Sequence, residues 1–223
     1  MPQRLNKFLA TNLGLSRREA DELIASGQVS LNGQSAALGA RVEEDSQVIV
    51  KGQPVKSVAS VYLMLNKPTG YVSSRRSQGA TPTLYELLPE KFQKLKTVGR
   101  LDKESSGLIL LTNDGDFAFT MTHPKFQKTK TYHVVLESPL QPLHQQMLTD
   151  FGVALTDGVS KLTLTRMDDI SKKWQVDLTE GRNRQIRRSF GALGYTVKQL
   201  HRVNFGPYAL GDLKLGQWRE IKK

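Results

Sequence analysis

Apolar residues in the first fifty positions recur at helical spacing. Leu5, Phe8 and Leu9 share one helical face, and Ala20, Leu23 and Ile24 share another. The second run follows Ser16-Arg17-Arg18-Glu19, which matches a capping box: the serine hydroxyl takes the glutamate amide while the glutamate carboxylate takes the serine amide. Gly27 supplies a C-terminal stop. Residues 28–31 then read as a strand, Asn32-Gly33 as a tight turn and 48–50 as a second strand.

Residues 51–60 have the composition of a linker. Beyond them the pattern predicts strands at 61–65, 108–112, 132–137, 161–166, 174–179 and 195–201. It predicts helices at 84–88, 116–122, 143–151 and 184–193. Strands outnumber helices and do not alternate with them. That predicts an α+β fold with a mostly antiparallel or mixed sheet flanked by helices. The expected division is a small domain with its linker, 1–58, and a larger domain, 59–223.

Composition narrows the function. The 223 residues are 38% hydrophobic and 24% charged, the balance of a soluble globular protein. No window approaches the ~18 apolar residues of a membrane span, and the N-terminal residues lack an apolar stretch of signal length. The absence of cysteine excludes disulfides and thiolate metal sites. Together these predict a cytoplasmic protein with no membrane partner. A net charge of +11 points to a polyanionic partner. Residues 1–58 hold seven basic and six acidic side chains, leaving 25 basic and 15 acidic for the remainder. The basicity therefore lies in the larger segment.

That segment also carries the residues suited to chemistry. In Gly99-Arg100-Leu101-Asp102 an arginine and a carboxylate sit two positions apart, so in extended chain they point the same way. A plain turn is the competing reading of the Asp, Ser and Gly cluster that follows. Lys67 lies in a Pro/Gly turn, Leu65-Asn66-Lys67-Pro68-Thr69-Gly70-Tyr71, and Tyr132 opens a strand after Lys128-Thr129-Lys130-Thr131. In Glu180-Gly181-Arg182-Asn183-Arg184-Gln185-Ile186-Arg187-Arg188, four arginines crowd into seven residues at a strand-to-helix junction. Such a run repels itself unless anions lie nearby, either phosphates or a buried carboxylate.

The ordered set KPxGY, GRLD, KTY and GRNRQIRR resembles the RsuA-type branch of the ribosomal RNA pseudouridine synthases over nearly the whole chain. The helix pair followed by GQVSLNG resembles the S4 RNA-binding fold. The resemblance implies Asp102 as the catalytic aspartate, Tyr132 as the tyrosine packing on the target base, and Arg187 as the basic residue pairing with the aspartate. It further implies Lys67, Arg100, Arg182, Arg184 and Arg188 as substrate contacts, and Arg4, Lys7, Arg17 and Arg18 as the RNA-facing residues of the S4 unit. The implied reaction turns uridine into pseudouridine with no cofactor and no metal. The chain has no phosphate-binding glycine loop and no close cluster of ligating residues, and His123, His133, His144 and His201 are scattered. The expected partner is ribosomal RNA or an assembling ribosomal particle, with small-subunit 16S RNA favoured over large-subunit 23S RNA, and the expected state is monomeric. The rival reading is a non-catalytic RNA-binding or ribosome-assembly factor. A metal-dependent nuclease would need paired carboxylates, and Asp114 and Asp116 read better as a turn capping the next helix.

Overall fold

The computed structural model describes residues 2–223. In the N-terminal body, helices α1 (Leu5–Leu13) and α2 (Arg17–Ala25) bury Leu5, Phe8, Leu9, Ala20 and Ile24 against Val29, Val42 and Val48. The predicted capping box forms: the Glu19 amide donates to Ser16 Oγ at 3.1 Å, and the Ser16 amide donates to Glu19 Oε2 at 2.6 Å. Strands β1 (Val29–Leu31), β2 (Gln34–Ser35), β3 (Val48–Val50) and β4 (Gln53–Pro54) make an antiparallel sheet in the order β2-β1-β3-β4. The segment predicted as linker is therefore partly sheet. Pro54 fits there because β4 is an edge strand, where a missing amide costs little.

The second body is built on a mixed sheet. Its strands are β5 (Tyr62–Lys67), β6 (Lys96–Val98), β7 (Ser106–Thr112) and β8 (Lys130–Leu136). A separate hairpin, β9 (Val153–Leu155) and β10 (Gly158–Ser160), follows. The sheet resumes with β11 (Thr163–Arg166), β12 (Lys173–Leu178), β13 (Val197–Phe205), β14 (Tyr208–Ala209) and β15 (Trp218–Glu220). The order is β11-β12-β8-β13-β7-β5-β15, with β14 beside β13 and β6 beside β7. Only β13 and β7 run parallel, pairing His201 with Ser106 and Arg202 with Gly107.

Both faces of the central strands are covered, which is why they read as unbroken apolar runs. Leu63, Leu65, Ile109 and Leu111 face one core with Trp174, Val176, Ile186 and Phe190. Met64, Leu108 and Leu110 face the other, beneath Phe117 and Met121 of helix α3 (Gly115–Thr122). The architecture is α+β. Helix α4 (Pro142–Gln146) passes into a π-helical turn, Met147–Phe151, so the helix predicted at 143–151 changes winding midway. The helix predicted at 84–88 is a 3₁₀ turn, Leu84–Leu87, and that at 184–193 is α5 (Gln185–Gly191). The strand predicted at 195–201 runs on to Phe205.

The two bodies touch. Lys7 forms an ion pair with Asp116 at the start of α3, and Lys96 Nζ donates to the Leu15 carbonyl. Asp114 caps α3 as its spacing predicts, accepting from the Asp116 and Phe117 amides. No helix among the described residues is long and apolar enough to cross a membrane.

Candidate active site

Asp102 sits in the loop between β6 and β7, and that loop is fastened from several directions. Ser73 Oγ donates to the Leu101 carbonyl at 2.7 Å and receives the Leu101 amide at 3.1 Å. The Gly70 amide donates to the Lys103 carbonyl at 2.8 Å, so the Pro/Gly turn after β5 braces the loop directly. Beneath it Lys67 is fully buried, with Nζ donating to the Pro68 and Ser105 carbonyls at 2.8 Å each. Burial pulls the Lys67 pKa down to about 8, against the opposing pull of Asp102 and Glu104. Lys67 therefore supports the loop from below and does not line the cavity that the loop borders. The resemblance implies a substrate contact for Lys67; in this structure its ammonium is engaged by the two carbonyls beneath the loop.

The arginine segment rearranges the expected partnerships. Arg184 caps α5 in the left-handed region at φ +47°, a conformation that β-carbon crowding makes costly for a side-chain-bearing residue. From there Arg184 Nη1 reaches Glu104 at 2.8 Å and Asp102 at 3.7 Å. Arg184 holds the Glu104 carboxyl below the usual carboxylate range. Arg187, implied by resemblance to pair with Asp102, instead donates to the Glu104 carbonyl at 2.9 Å and the Val197 carbonyl at 2.8 Å. It lies one helical turn further on, over the backbone of the loop, so it fixes the loop and leaves the ion pair to Arg184.

Arg182 and Arg188 find their anion inside the protein. Asp157, at the tip of the β9–β10 hairpin, bonds Arg182 at 3.1 Å and Arg188 at 2.6 Å. Arg182 also donates to the Asp157, Gly158 and Val159 carbonyls. These two arginines dock the hairpin on α5. Arg188 stays outside the cavity wall, and Arg182 contributes to it with both Nη atoms bonded inside the protein.

A cavity of about 310 Å³ opens beside Asp102. Asp102 and Tyr132 both line it, with Ile186, Leu200 and Phe205 forming apolar wall. Arg100, Lys130, Arg182, Arg184 and Arg202 also border it, against the carboxylates Asp102 and Glu180 alone, so its rim is electropositive. Tyr132 is nearly buried on β8. An aromatic wall, an accessible carboxylate and surplus positive charge suit a flipped, phosphate-bearing nucleotide.

Sequence and structure comparisons give the family. The pattern of the RNA pseudouridylate synthases matches residues 61–192, and that of the S4 domain matches residues 3–48. The chain belongs to the RNA pseudouridylate synthase family. It is 36% identical to the ribosomal large subunit pseudouridine synthase B of Bacillus subtilis, over 98% of this chain and 92% of that one. It is 38% identical to the ribosomal small subunit pseudouridine synthase A of Pasteurella multocida, over 98% and 95%. A crystal structure of a pseudouridylate synthase superimposes with a TM-score of 0.70 at 30% identity, covering 98% of this chain and 96% of that one. The fold is thus an S4 domain followed by a pseudouridine synthase catalytic domain.

In the S4 domain, Arg4, Lys7 and Arg17 border one shallow groove together with Asp116 of α3, whereas Arg18 is exposed outside it. Sequence reasoning missed Arg202. It occupies an inward position of β13, in phase with Leu200, and that phase was its only signal.

Proposed function

We propose that this synthase converts a uridine of ribosomal RNA into pseudouridine, with Asp102 as the reacting group. The observation that carries the reading is the shared cavity: the Asp102 carboxylate, an arginine at 3.7 Å and the Tyr132 ring border one pocket of nucleotide-accommodating size. Arg184 orients that carboxylate at the pocket wall from 3.7 Å. That carboxylate attacks C1′ or takes the C2′ proton, and either route breaks the N1–C1′ bond. The base then turns against Tyr132 and C5 bonds to C1′, which frees the carboxylate or returns the C2′ proton, and the C5 proton passes to N1. The pocket walls and the bound RNA together keep the detached base from escaping. Arg187 acts on Asp102 through the Glu104 backbone, and Arg100 and Lys130 meet the RNA at the rim. Arg4, Lys7, Arg17 and Arg18 of the S4 domain extend the RNA-binding surface.

Relatives named for either ribosomal subunit share this domain plan, and we favour small-subunit RNA as the target. The test is pseudouridine mapping by carbodiimide modification and primer extension on both ribosomal RNAs. Unmodified transcript and assembling particles are treated with wild-type protein or with Asp102→Asn. One new stop with wild type alone, and equal RNA binding by both proteins, is the expected result. Pseudouridine formed equally well by Asp102→Asn removes Asp102 from the chemistry. Tight binding with no stop on any substrate favours the assembly-factor reading.

A further inference from the structure

Arg202 is an arginine without a counter-ion. It is 2% exposed. Nε donates to the Leu108 carbonyl at 2.7 Å and Nη1 to the Tyr132 hydroxyl at 3.4 Å, while Nη2 has no partner. Among the described residues it makes no ion pair, unlike Arg182 and Arg184 in the same wall. Among the described residues six buried side-chain polar atoms lack partners, and three of them, on Ser105, Arg182 and Arg202, belong to residues lining the Asp102 cavity. Removing a guanidinium from water with no compensating anion costs several kcal/mol. A binding site that keeps such a group holds it for a charge that arrives with the ligand.

We propose that Arg202 is the counter-ion of the departing base. This inference rests on the pseudouridine reading above. When the N1–C1′ bond breaks, its electron pair stays on the base, giving a uracil anion with charge shared among N1, O2 and O4. C1′ is left bonded to the Asp102 carboxylate, or C2′ has given its proton to that carboxylate. Arg202 keeps all its protons and donates hydrogen bonds to a carbonyl oxygen of the anion until C5 bonds to C1′, which breaks the C1′–carboxylate bond or takes the C2′ proton back from Asp102, and the C5 proton passes to N1.

The placement fits that role. Arg202 stands at the hydroxyl end of the Tyr132 ring, with its guanidinium carbon 5.9 Å from the ring centre. A base stacked on that ring presents its carbonyl edge there. Because arginine has no acceptor, the Tyr132 oxygen must accept from it, which turns the phenolic hydrogen away from Arg202. The alternative source of negative charge is the 5′-phosphate of the flipped nucleotide, and the experiment separates the two.

Arg202→Met and Arg202→Lys are compared with wild type in single-turnover cleavage of the glycosidic bond. The substrates are one target RNA carrying either uridine or 5-fluorouridine at the reacting position. Fluorine makes the base more acidic, hence a better leaving group that needs less help. The expected result is a loss of about 10²-fold or more on uridine for Arg202→Met, of the size seen when an anion-stabilising donor is removed. The loss on 5-fluorouridine is expected to be several-fold smaller. Arg202→Lys, which keeps the charge but not the planar fork, should lie between. RNA affinity and thermal midpoint should stay close to wild type, because the burial cost relieved offsets the hydrogen bonds lost to the Leu108 carbonyl and the Tyr132 hydroxyl.

Equal losses on both substrates would overturn the proposal in favour of a role in positioning Tyr132. A loss of RNA affinity would assign Arg202 to the phosphate instead. If Arg202→Met fails to fold, Arg202→Lys decides by the same substrate comparison. A wild-type protein inactive on uridine would remove the pseudouridine reading, and this inference with it.

Discussion

Gly107 and Arg202 meet backbone to backbone. A Cβ on Gly107 would lie 2.5 Å from the Arg202 amide nitrogen and closer still to its carbonyl oxygen, and Gly107 has φ +107°. The parallel register of β7 and β13 therefore depends on the missing side chain. Gly107→Ala should destabilise the protein by about 3 kcal/mol or more, combining backbone strain with overpacking. A urea-denaturation midpoint well below wild type, with activity falling in parallel, is the expected measurement; an unchanged midpoint would show that β13 shifts freely.

Lys67 ties stability to alkaline pH. Its folded pKa of about 8 lies below the ordinary 10.5. Below about 8 both states carry the charge, and the folded state bears the full burial penalty. Between about 8 and 10.5 the unfolded chain holds more protons, so stability from this group rises with pH. Wild type should gain on Lys67→Met across that window by up to about 1 kcal/mol per pH unit. Denaturation of both proteins from neutral pH to pH 10 checks it; parallel curves would place the Lys67 pKa at its ordinary value.

Asp157 is the anion shared by Arg182 and Arg188, all three partly exposed. Asp157→Ala should lower stability only slightly, since solvent screens these pairs. It should also free the β9–β10 hairpin from α5. Limited proteolysis cutting first within 153–160 is the expected outcome, and an intact hairpin would assign its docking to the Arg182–carbonyl bonds alone.

Ser16→Ala removes the capping box from α2. A loss of about 1 kcal/mol confined to the N-terminal body is expected. Hydrogen exchange should quicken at the first turn of α2 and stay unchanged in β7 and β8. Equal acceleration in both bodies would show that they unfold as one.

What the sequence discloses depends on how local the cause is. The capping box and the apolar runs of β5 and β7 are complete within a few residues, so their physics is on the page. β6 is three residues, Lys96-Thr97-Val98, with no pattern of its own; it is a strand because β7 offers an edge. The arginine segment suggests anions, yet no window around residue 185 can show that Asp157 and Glu104 supply them. The exchange of partners between Arg184 and Arg187 follows from one left-handed residue, which residue type does not announce. Arg202 sits in Leu200-His201-Arg202-Val203, where nothing marks it until β13 lies beside β7.

That single parallel pairing has a kinetic meaning. The strand that continues the Asp102 loop and the strand that bears Arg202 are neighbours in space but lie some ninety residues apart in the numbering, His201 opposite Ser106. β5, meanwhile, finds its outer neighbour only in Trp218–Glu220. Contacts this remote in sequence form late and slowly. During synthesis, the Asp102 pocket has no partial precursor: a nascent chain that has already exposed Asp102 still lacks the wall opposite it. The enzyme therefore gains its capacity to act in one step, after its sheet has closed.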